Sequence, residues 1–183
     1  MKRLFRALFV FLLLVTAFSG AASAAAVALT SVGQSPDAMM VRVVFRKLAV
    51  DVDYDALMRS DALPGHRVLV AVVGGSSKGL GAAGINQDQE KARSVDLVEK
   101  AREQGIKVLV MHVGGEGRRG TLSDLFIEAV VPLADHLILV EGADKDGLFT
   151  RLIEGKGIAV DTASTVRDTD VPLRGVLARW GLL

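Results

Sequence analysis

The 183 residues carry 22 Lys and Arg against 21 Asp and Glu, so the formal net charge is +1, and there is no cysteine. Because nucleic acids and anionic membranes attract strongly basic chains, this balance gives no reason to expect either as a partner. The absence of cysteine excludes disulfides, thiol catalysis and cysteine-ligated metals.

The first 24 residues have the pattern of a secretory signal peptide. Lys2, Arg3 and Arg6 precede an apolar run that is shorter than the ~20 residues of a membrane span. Ala22-Ser23-Ala24 then resembles a peptidase site. We therefore expect residues 1–24 to be removed, leaving an exported protein, periplasmic or secreted, with no stable membrane anchor.

Beyond the leader, apolar runs alternate with segments of helical period. A strand at 27–31 is followed by a helix at 36–48, and a more exposed strand at 50–55 is followed by an irregular turn. The remaining predicted elements are, in chain order, a strand at 67–73, a helix from 86 or 88 to 104, a strand at 106–113, a helix at 122–133, a strand at 136–141, a helix at 146–154, a strand at 158–161 and a helix at 171–180.

The side-chain pattern of the first helix predicts which of its residues reach the core. Met39, Met40 and Val43 recur at helical spacing, with Arg42 interposed on another face. We expect Met39 and Met40, together with Phe45, to be core residues.

The alternation of strands and helices predicts a three-layer α/β fold. The middle strands are hydrophobic on both faces, which is typical of a parallel sheet covered by helices on two sides. Right-handed crossovers then give a doubly wound, flavodoxin-like or Rossmann-like sandwich of about five to six mostly parallel strands. No linker composition interrupts residues 25–183, so we expect one domain.

Four loops that follow predicted strands are rich in glycine, hydroxyls and charge: 31–37, 74–84, 114–120 and 141–147. The loops at the opposite ends of the strands are short and lack such a concentration of glycine, hydroxyl and charged residues. Doubly wound sheets bind ligands at the carboxyl ends of their strands. The sequence therefore predicts a site at this edge.

The loop at 74–84 contains a Gly79-x-Gly-x-x-Gly84 pattern that is found in dinucleotide sites. This pattern begins several residues after the strand, and no acidic residue ends the next strand to bind a ribose. The only tyrosine, Tyr54, has Met58 four residues later, so a dehydrogenase Tyr-x-x-x-Lys is absent. Dinucleotide binding is the weakest alternative, and we expect no cofactor.

A small anion, either a carboxylate or a phosphate, suits this edge better. Free backbone N–H groups, hydroxyls and a lysine favour an oxyanion, and two arginines could clamp it. The alternative is that the charges are solvated and the glycines only form turns. The candidate ligand-binding residues are Ser35, Asp37, Gly74, Gly75, Ser76, Ser77, Lys78, Gly79, Gly114, Gly115, Arg118 and Arg119.

His112 ends the fourth predicted strand and is the only candidate catalytic residue. It would serve as the acid–base group of a hydrolase or transferase, although a hydrogen-bonded structural histidine is the better expectation. His66 and His136 lie at strand starts and are expected to be structural. No spacing of ligands predicts a metal site. A further alternative is a domain whose loops bind another exported protein.

Four sequence blocks together resemble an uncharacterised bacterial family of exported single-domain α/β proteins, a domain of unknown function. They are TSVGQSPD at 30–37, GGSSKGLGAAGI at 74–85, MHVGGEGRRG at 111–120 and KDGLF at 145–149. The resemblance covers nearly all of the chain beyond the leader. It implies a signal peptide followed by one α/β domain, and it implies no activity, cofactor or site residue.

Overall fold

A computed structural model describes residues 25–183, and the predicted signal peptide lies outside them. Six strands in this part of the chain form one sheet in the order β2-β1-β3-β4-β5-β6, and every neighbouring pair is parallel. This confirms the predicted parallel α/β fold. The strands are β1 Val27–Val32, β2 Asp53–Tyr54, β3 Val68–Val73, β4 Lys107–His112, β5 His136–Val140 and β6 Ala159–Ala163.

Helices cover both faces of the sheet. Within the described residues they are α1 Asp37–Lys47, α2 Ser77–Ala83, α3 Gln87–Glu103, α4 Thr121–Val130, α5 Leu148–Ile153 and α6 Asp170–Arg179. Helices α1 and α6 pack on one face, and α2 to α5 pack on the other. The strand order is that of a flavodoxin-like sheet with a sixth strand added at the β5 edge.

Strand β3 shows why the sheet is buried on both sides. All six of its residues have no exposed surface. Leu69, Ala71 and Val73 contact the α2–α5 layer, whereas the alternate residues, including Val68 and Val70, contact the α1–α6 layer. Because side chains in a strand alternate between faces, a continuous apolar run is required to fill both cores.

The prediction that Met39 and Met40 are core residues is wrong. Met39 is 46% exposed and Met40 48%, whereas Phe45 is fully buried as expected. Helix α1 carries two apolar stripes, and the one with Val41 and Val44 packs on the sheet. The period of a helix cannot say which of two such stripes the sheet will cover.

A buried ion pair on α3 ties the loop after β1 to the segment after β2. The Glu90 carboxylate is fully buried and accepts two bonds of 2.8 Å from Arg93, one at each oxygen. Arg93 also donates to the carbonyls of Met58 at 2.7 Å and Ser31 at 2.6 Å. Glu90 accepts the Gly33 N–H at 2.9 Å. The ion pair thus joins α3 to the loop after β1 and to the segment after β2.

No helix among the described residues is long and apolar enough to cross a bilayer.

We expect Glu90→Ala to lower the free energy of unfolding by about 3–5 kcal/mol, since it leaves Arg93 buried without its counter-ion. Glu99→Ala, an exposed substitution on the same helix, should change stability by no more than about 0.5 kcal/mol. Urea unfolding followed by circular dichroism measures both. Equal effects of the two substitutions would contradict the anchoring role of Glu90.

Candidate functional site

The loops after β1 and β3 meet where the strand order reverses, which is the place where ligands bind in open α/β sheets. Here the two loops pair with each other. The Gly74 N–H donates to Val32 O at 2.8 Å, the Ser35 N–H to Gly74 O at 3.2 Å and the Ser76 N–H to Gly33 O at 2.8 Å. The crevice at this point is therefore closed by the protein's own backbone.

Asp37 lies in the first turn of α1 with its side chain only 4% exposed. Arg118 Nη2 donates to Asp37 Oδ1 at 3.4 Å, and Arg118 Nε lies 3.2 Å from Oδ2. Oδ2 nevertheless accepts no hydrogen bond from the part of the chain that the structure describes, because the Nε–H group is close but poorly aligned. The contact at Oδ2 is thus a charge attraction, and the Ser35 Oγ supports this turn by accepting the Asp37 N–H at 3.3 Å.

Gly74 and Gly114 make room for this ion pair. A Cβ at Gly114 would lie 2.2 Å from the Cβ of Arg118, a distance that no side chain tolerates. A Cβ at Gly74 would lie 3.0 Å from Ser35 Oγ and 3.2 Å from Asp37 Oδ2. The close approach that requires glycine at these positions is made by the protein's own side chains.

Gly75 and Gly79 are explained in the same way. A Cβ at Gly75 would lie 2.7 Å from the backbone carbon of Leu122, at the start of α4. A Cβ at Gly79 would lie 1.9 Å from the carbonyl oxygen of Gln34. These glycines allow α4 and α2 to pack against the loops after β3 and β1.

Much of the glycine-rich segment after β3 is helical, although the sequence predicts a loop throughout. Ser76 caps α2, since its Oγ accepts the Gly79 N–H at 3.0 Å, and Gly84 ends it at φ +69°. Ser77 and Lys78 are exposed in its first turn. Glycines inside a helix cost conformational entropy, which is why local propensity does not indicate a helix here.

Arg119 is committed to holding neighbouring loops together. Its Nε donates to Asp124 at 2.8 Å, and its two terminal nitrogens donate to the two oxygens of Asp146 at 3.0 and 2.9 Å. It also donates to the carbonyl of Ala143. The hydrogen bonds from Arg119, then that from the Leu148 N–H, lower the pKa of Asp146 from 3.8 to about 2. Arg119 has little donor capacity left for a ligand.

His112 is fully buried, and both of its ring nitrogens face backbone carbonyls. Nδ1 lies 2.9 Å from Val73 O, and Nε2 lies 3.1 Å from Gly115 O. The Phe149 ring packs beside it at 5.5 Å. Gly115 has φ +57°, and a Cβ there would lie 3.0 Å from Glu141 O. This arrangement favours a structural role for His112, because neither nitrogen is free to exchange a proton with a ligand.

The other two histidines lie at the amino ends of strands. His66 contacts Leu63 O and Asp53, each at 3.0 Å, and His136 contacts Asp161 at 2.9 Å. No group of three or more His, Asp or Glu side chains within residues 25–183 is arranged to hold a metal ion.

A polar cleft of about 320 Å³ lies between the loops that follow β3 and β4, and we call it the β3–β4 cleft. Helix α4 begins here after Gly120, and no side chain among residues 25–183 caps its first N–H groups. The Ser123 Oγ accepts the Gly75 N–H at 2.9 Å and joins the two walls. The cleft is lined by Gly75, Ser77, Gly117, Arg118, Arg119, Gly120, Thr121, Leu122 and Ser123.

This cleft unites part of the predicted site. It brings together Gly75, Ser77, Arg118 and Arg119. The remaining predicted ligand-binding residues do not line it, and they are Ser35, Asp37, Gly74, Ser76, Lys78, Gly79, Gly114 and Gly115.

Sequence reasoning misses Thr121 and Ser123 as lining residues, because it ends the loop at residue 120 and begins the next helix at residue 122. The signal that could have indicated them is the presence of two hydroxyl residues just after Gly120, where the loop that follows β4 ends.

Comparison with known proteins identifies a family for this chain but no activity. Residues 24–177 match the model of a family described as a domain of unknown function, DUF6305. The predicted resemblance to a family of unknown function is thus confirmed. No curated protein and no solved structure matches the chain.

The Arg119–Asp146 pair predicts a stability loss in acid. Because the folded pKa of Asp146 is about 2, below its usual 3.8, the pair stabilises the fold fully above about pH 4, and this contribution disappears as the pH falls through 2. Asp146→Asn should therefore lower the melting temperature at neutral pH and have no effect at the acid limit.

Thermal melts across this pH range, recorded by circular dichroism, test the loss. Asp61→Asn is the control, because Asp61 is exposed and accepts no side-chain hydrogen bond from any described residue. A pH-independent effect of Asp146→Asn would contradict the assignment.

Proposed function

The chain belongs to the DUF6305 family, and since that family supplies no activity, we propose from the cleft itself that the protein is an exported domain binding a small anion. The ligand is a carboxylate or a phosphate held in the β3–β4 cleft. The leader pattern of residues 1–24 supports export.

One observation carries this proposal: the cleft joins Arg118 to the uncapped start of α4. The unpaired N–H groups and the dipole of a helix start favour negative charge. Arg118 is 35% exposed in its side chain, so its guanidinium can face both Asp37 and a ligand. The Ser77 hydroxyl on the opposite wall adds a neutral donor.

The arginines of the β3–β4 cleft are already paired with carboxylates, so we expect the cleft to bind an anion with modest affinity. Asp37 neutralises Arg118, and Asp124 and Asp146 neutralise Arg119. Lys78, beside Ser77 on the first turn of α2, is an exposed cation whose side chain makes no ion pair or hydrogen bond within the described chain. Binding of the anion would thus depend mainly on the helix start and on Arg118, with Lys78 adding a positive charge next to the cleft.

Binding of acetate, citrate and inorganic phosphate tests the proposal. An anion that binds only the folded state raises its stability by RT ln(1 + [L]/Kd), and we expect at least one of the three to do so. Lys78→Ala and Arg118→Gln should each weaken binding, because Arg118 lines the cleft and Lys78 carries its positive charge one residue from the lining residue Ser77. Calorimetric titration measures affinity separately from the stability lost when Asp37 is left without its cation.

Lys91→Ala is the matched control, since Lys91 is exposed on α3 and does not line the cleft. The proposal fails if none of the three anions binds, or if Lys78→Ala and Arg118→Gln both leave the affinity unchanged.

One observation favours protein–protein interaction as a second candidate function. Pro36, Met39, Met40 and Val43 are exposed at i, i+3, i+4 and i+7, and we call them the α1 outer stripe. Such spacing is typical of a helix face that packs against a partner helix. Arg46 follows the stripe on the exposed side of α1, so the partner we propose is an exported protein with an acidic amphipathic helix.

Site-specific photocrosslinking in cells tests this surface. A crosslinker replacing Met40 should trap one partner, and Val43→Glu should abolish trapping because it adds a buried, repelled charge to the contact. The same crosslinker at Val171, which is 73% exposed on α6, is the control. Equal trapping at positions 40 and 171, or trapping that survives Val43→Glu, would refute the interaction.

A further inference from the structure

A larger cleft of about 690 Å³ lies on the other side of the paired β1 and β3 loops, and we call it the β2–α3 cleft. One wall is the segment that follows β2, and the other is the amino-terminal half of α3 with the residue that precedes it by two positions, Ile85. The segment after β2 leaves the carboxyl end of a parallel strand, so this cleft also opens at the ligand-binding edge of the sheet.

The cleft offers an apolar surface to a ligand. Leu57 and Ile85 are half-buried, and Ala92 extends the same lining along α3. Its volume lies within the roughly 300–1,000 Å³ of small-molecule pockets, which are lined mainly by hydrophobic side chains with a few polar groups. The lining therefore suits a molecule with an apolar group of moderate size.

Two oppositely charged side chains in this cleft have polar groups with no hydrogen-bond partner among the described residues. Arg59 is exposed, and its side chain makes no hydrogen bond or ion pair with another residue of the described chain. Asp96 accepts the Ser60 hydroxyl at 2.7 Å through Oδ2, and its Oδ1 has no partner among the described residues. The two opposite charges do not pair with each other, so each is available to a ligand.

The walls that carry these charges are fixed to each other. Arg93 donates from α3 to Met58 O at 2.7 Å, and the Ser60–Asp96 bond joins the same two segments. Glu90 neutralises Arg93, which leaves the charge balance of the cleft to Arg59 and Asp96. A site held in place before binding spends less free energy on ordering its side chains.

We propose that the β2–α3 cleft binds a small zwitterion with an apolar side group, of the α-amino acid class. Its carboxylate faces Arg59, its ammonium group faces Asp96, and its side group packs on Leu57 and Ile85. This site is separate from the β3–β4 cleft and does not depend on the anion proposed there.

Titration of the isotope-labelled protein by two-dimensional NMR tests this site with four probes: L-phenylalanine, 3-phenylpropionate without the ammonium group, phenethylamine without the carboxylate, and glycine without the side group. We expect phenylalanine to shift the amide signals around Leu57 and Ile85. Each incomplete probe should bind at least about threefold more weakly, because each loses one charge-assisted or apolar contact.

Two substitutions assign the charges. Arg59→Gln should weaken the binding of phenylalanine and 3-phenylpropionate but leave the affinity for phenethylamine unchanged. Asp96→Asn should weaken the binding of phenylalanine and phenethylamine but leave the affinity for 3-phenylpropionate unchanged. Arg46→Gln, an exposed arginine on α1, is the matched control for Arg59. Lys78→Ala should leave phenylalanine binding intact, which separates this site from the β3–β4 cleft.

The proposal is overturned if phenylalanine shifts no signal around Leu57 and Ile85. It is also overturned if 3-phenylpropionate or phenethylamine binds as tightly as phenylalanine, since the ligand would then need only one charge. Equal phenylalanine affinity in Arg59→Gln, Asp96→Asn and Arg46→Gln would have the same consequence.

Discussion

The buried Glu90–Arg93 pair is the interaction on which the functional edge of the sheet depends. Glu90 Oε1 accepts bonds from the Gly33 N–H at 2.9 Å and the Gln34 side chain at 3.0 Å, while Arg93 holds Met58 O. The loop after β1, the segment after β2 and α3 are thus fixed relative to one another. The β2–α3 cleft is lined by the segment after β2 and by α3, so its shape rests on one ion pair kept from water, where an unpaired charge would be costly.

The point where the strand order reverses is closed, so the clefts that could bind a ligand lie beside it. The loops after β1 and β3 bond to each other there, and Gly74, Gly79 and Gly114 admit the protein's own groups instead of a ligand. A cleft lies on either side of the paired loops, one polar and one partly apolar. A glycine-rich loop after a parallel strand therefore does not by itself identify a cofactor site.

The cations at this edge differ in what they can still bind. Arg119 donates to Asp124, Asp146 and Ala143, and Arg118 faces the buried Asp37. The side chains of Lys78 and Arg59 make no such hydrogen bonds or ion pairs within the described chain. Because an arginine that is already paired retains few free donors, the uncommitted cations and the start of α4 supply most of the remaining attraction for a ligand.

The sequence alone determined the parallel α/β architecture, because the unbroken apolar run of β3 can be buried only between two helical layers. It also determined the family of unknown function. Only the tertiary structure decided that Met40 faces outward, that His112 lies between two carbonyls, and that Arg119 is bound to Asp146. Local periodicity encodes which side chains can be buried, whereas these outcomes depend on groups that only folding brings together, such as an arginine and a carboxylate 27 residues apart.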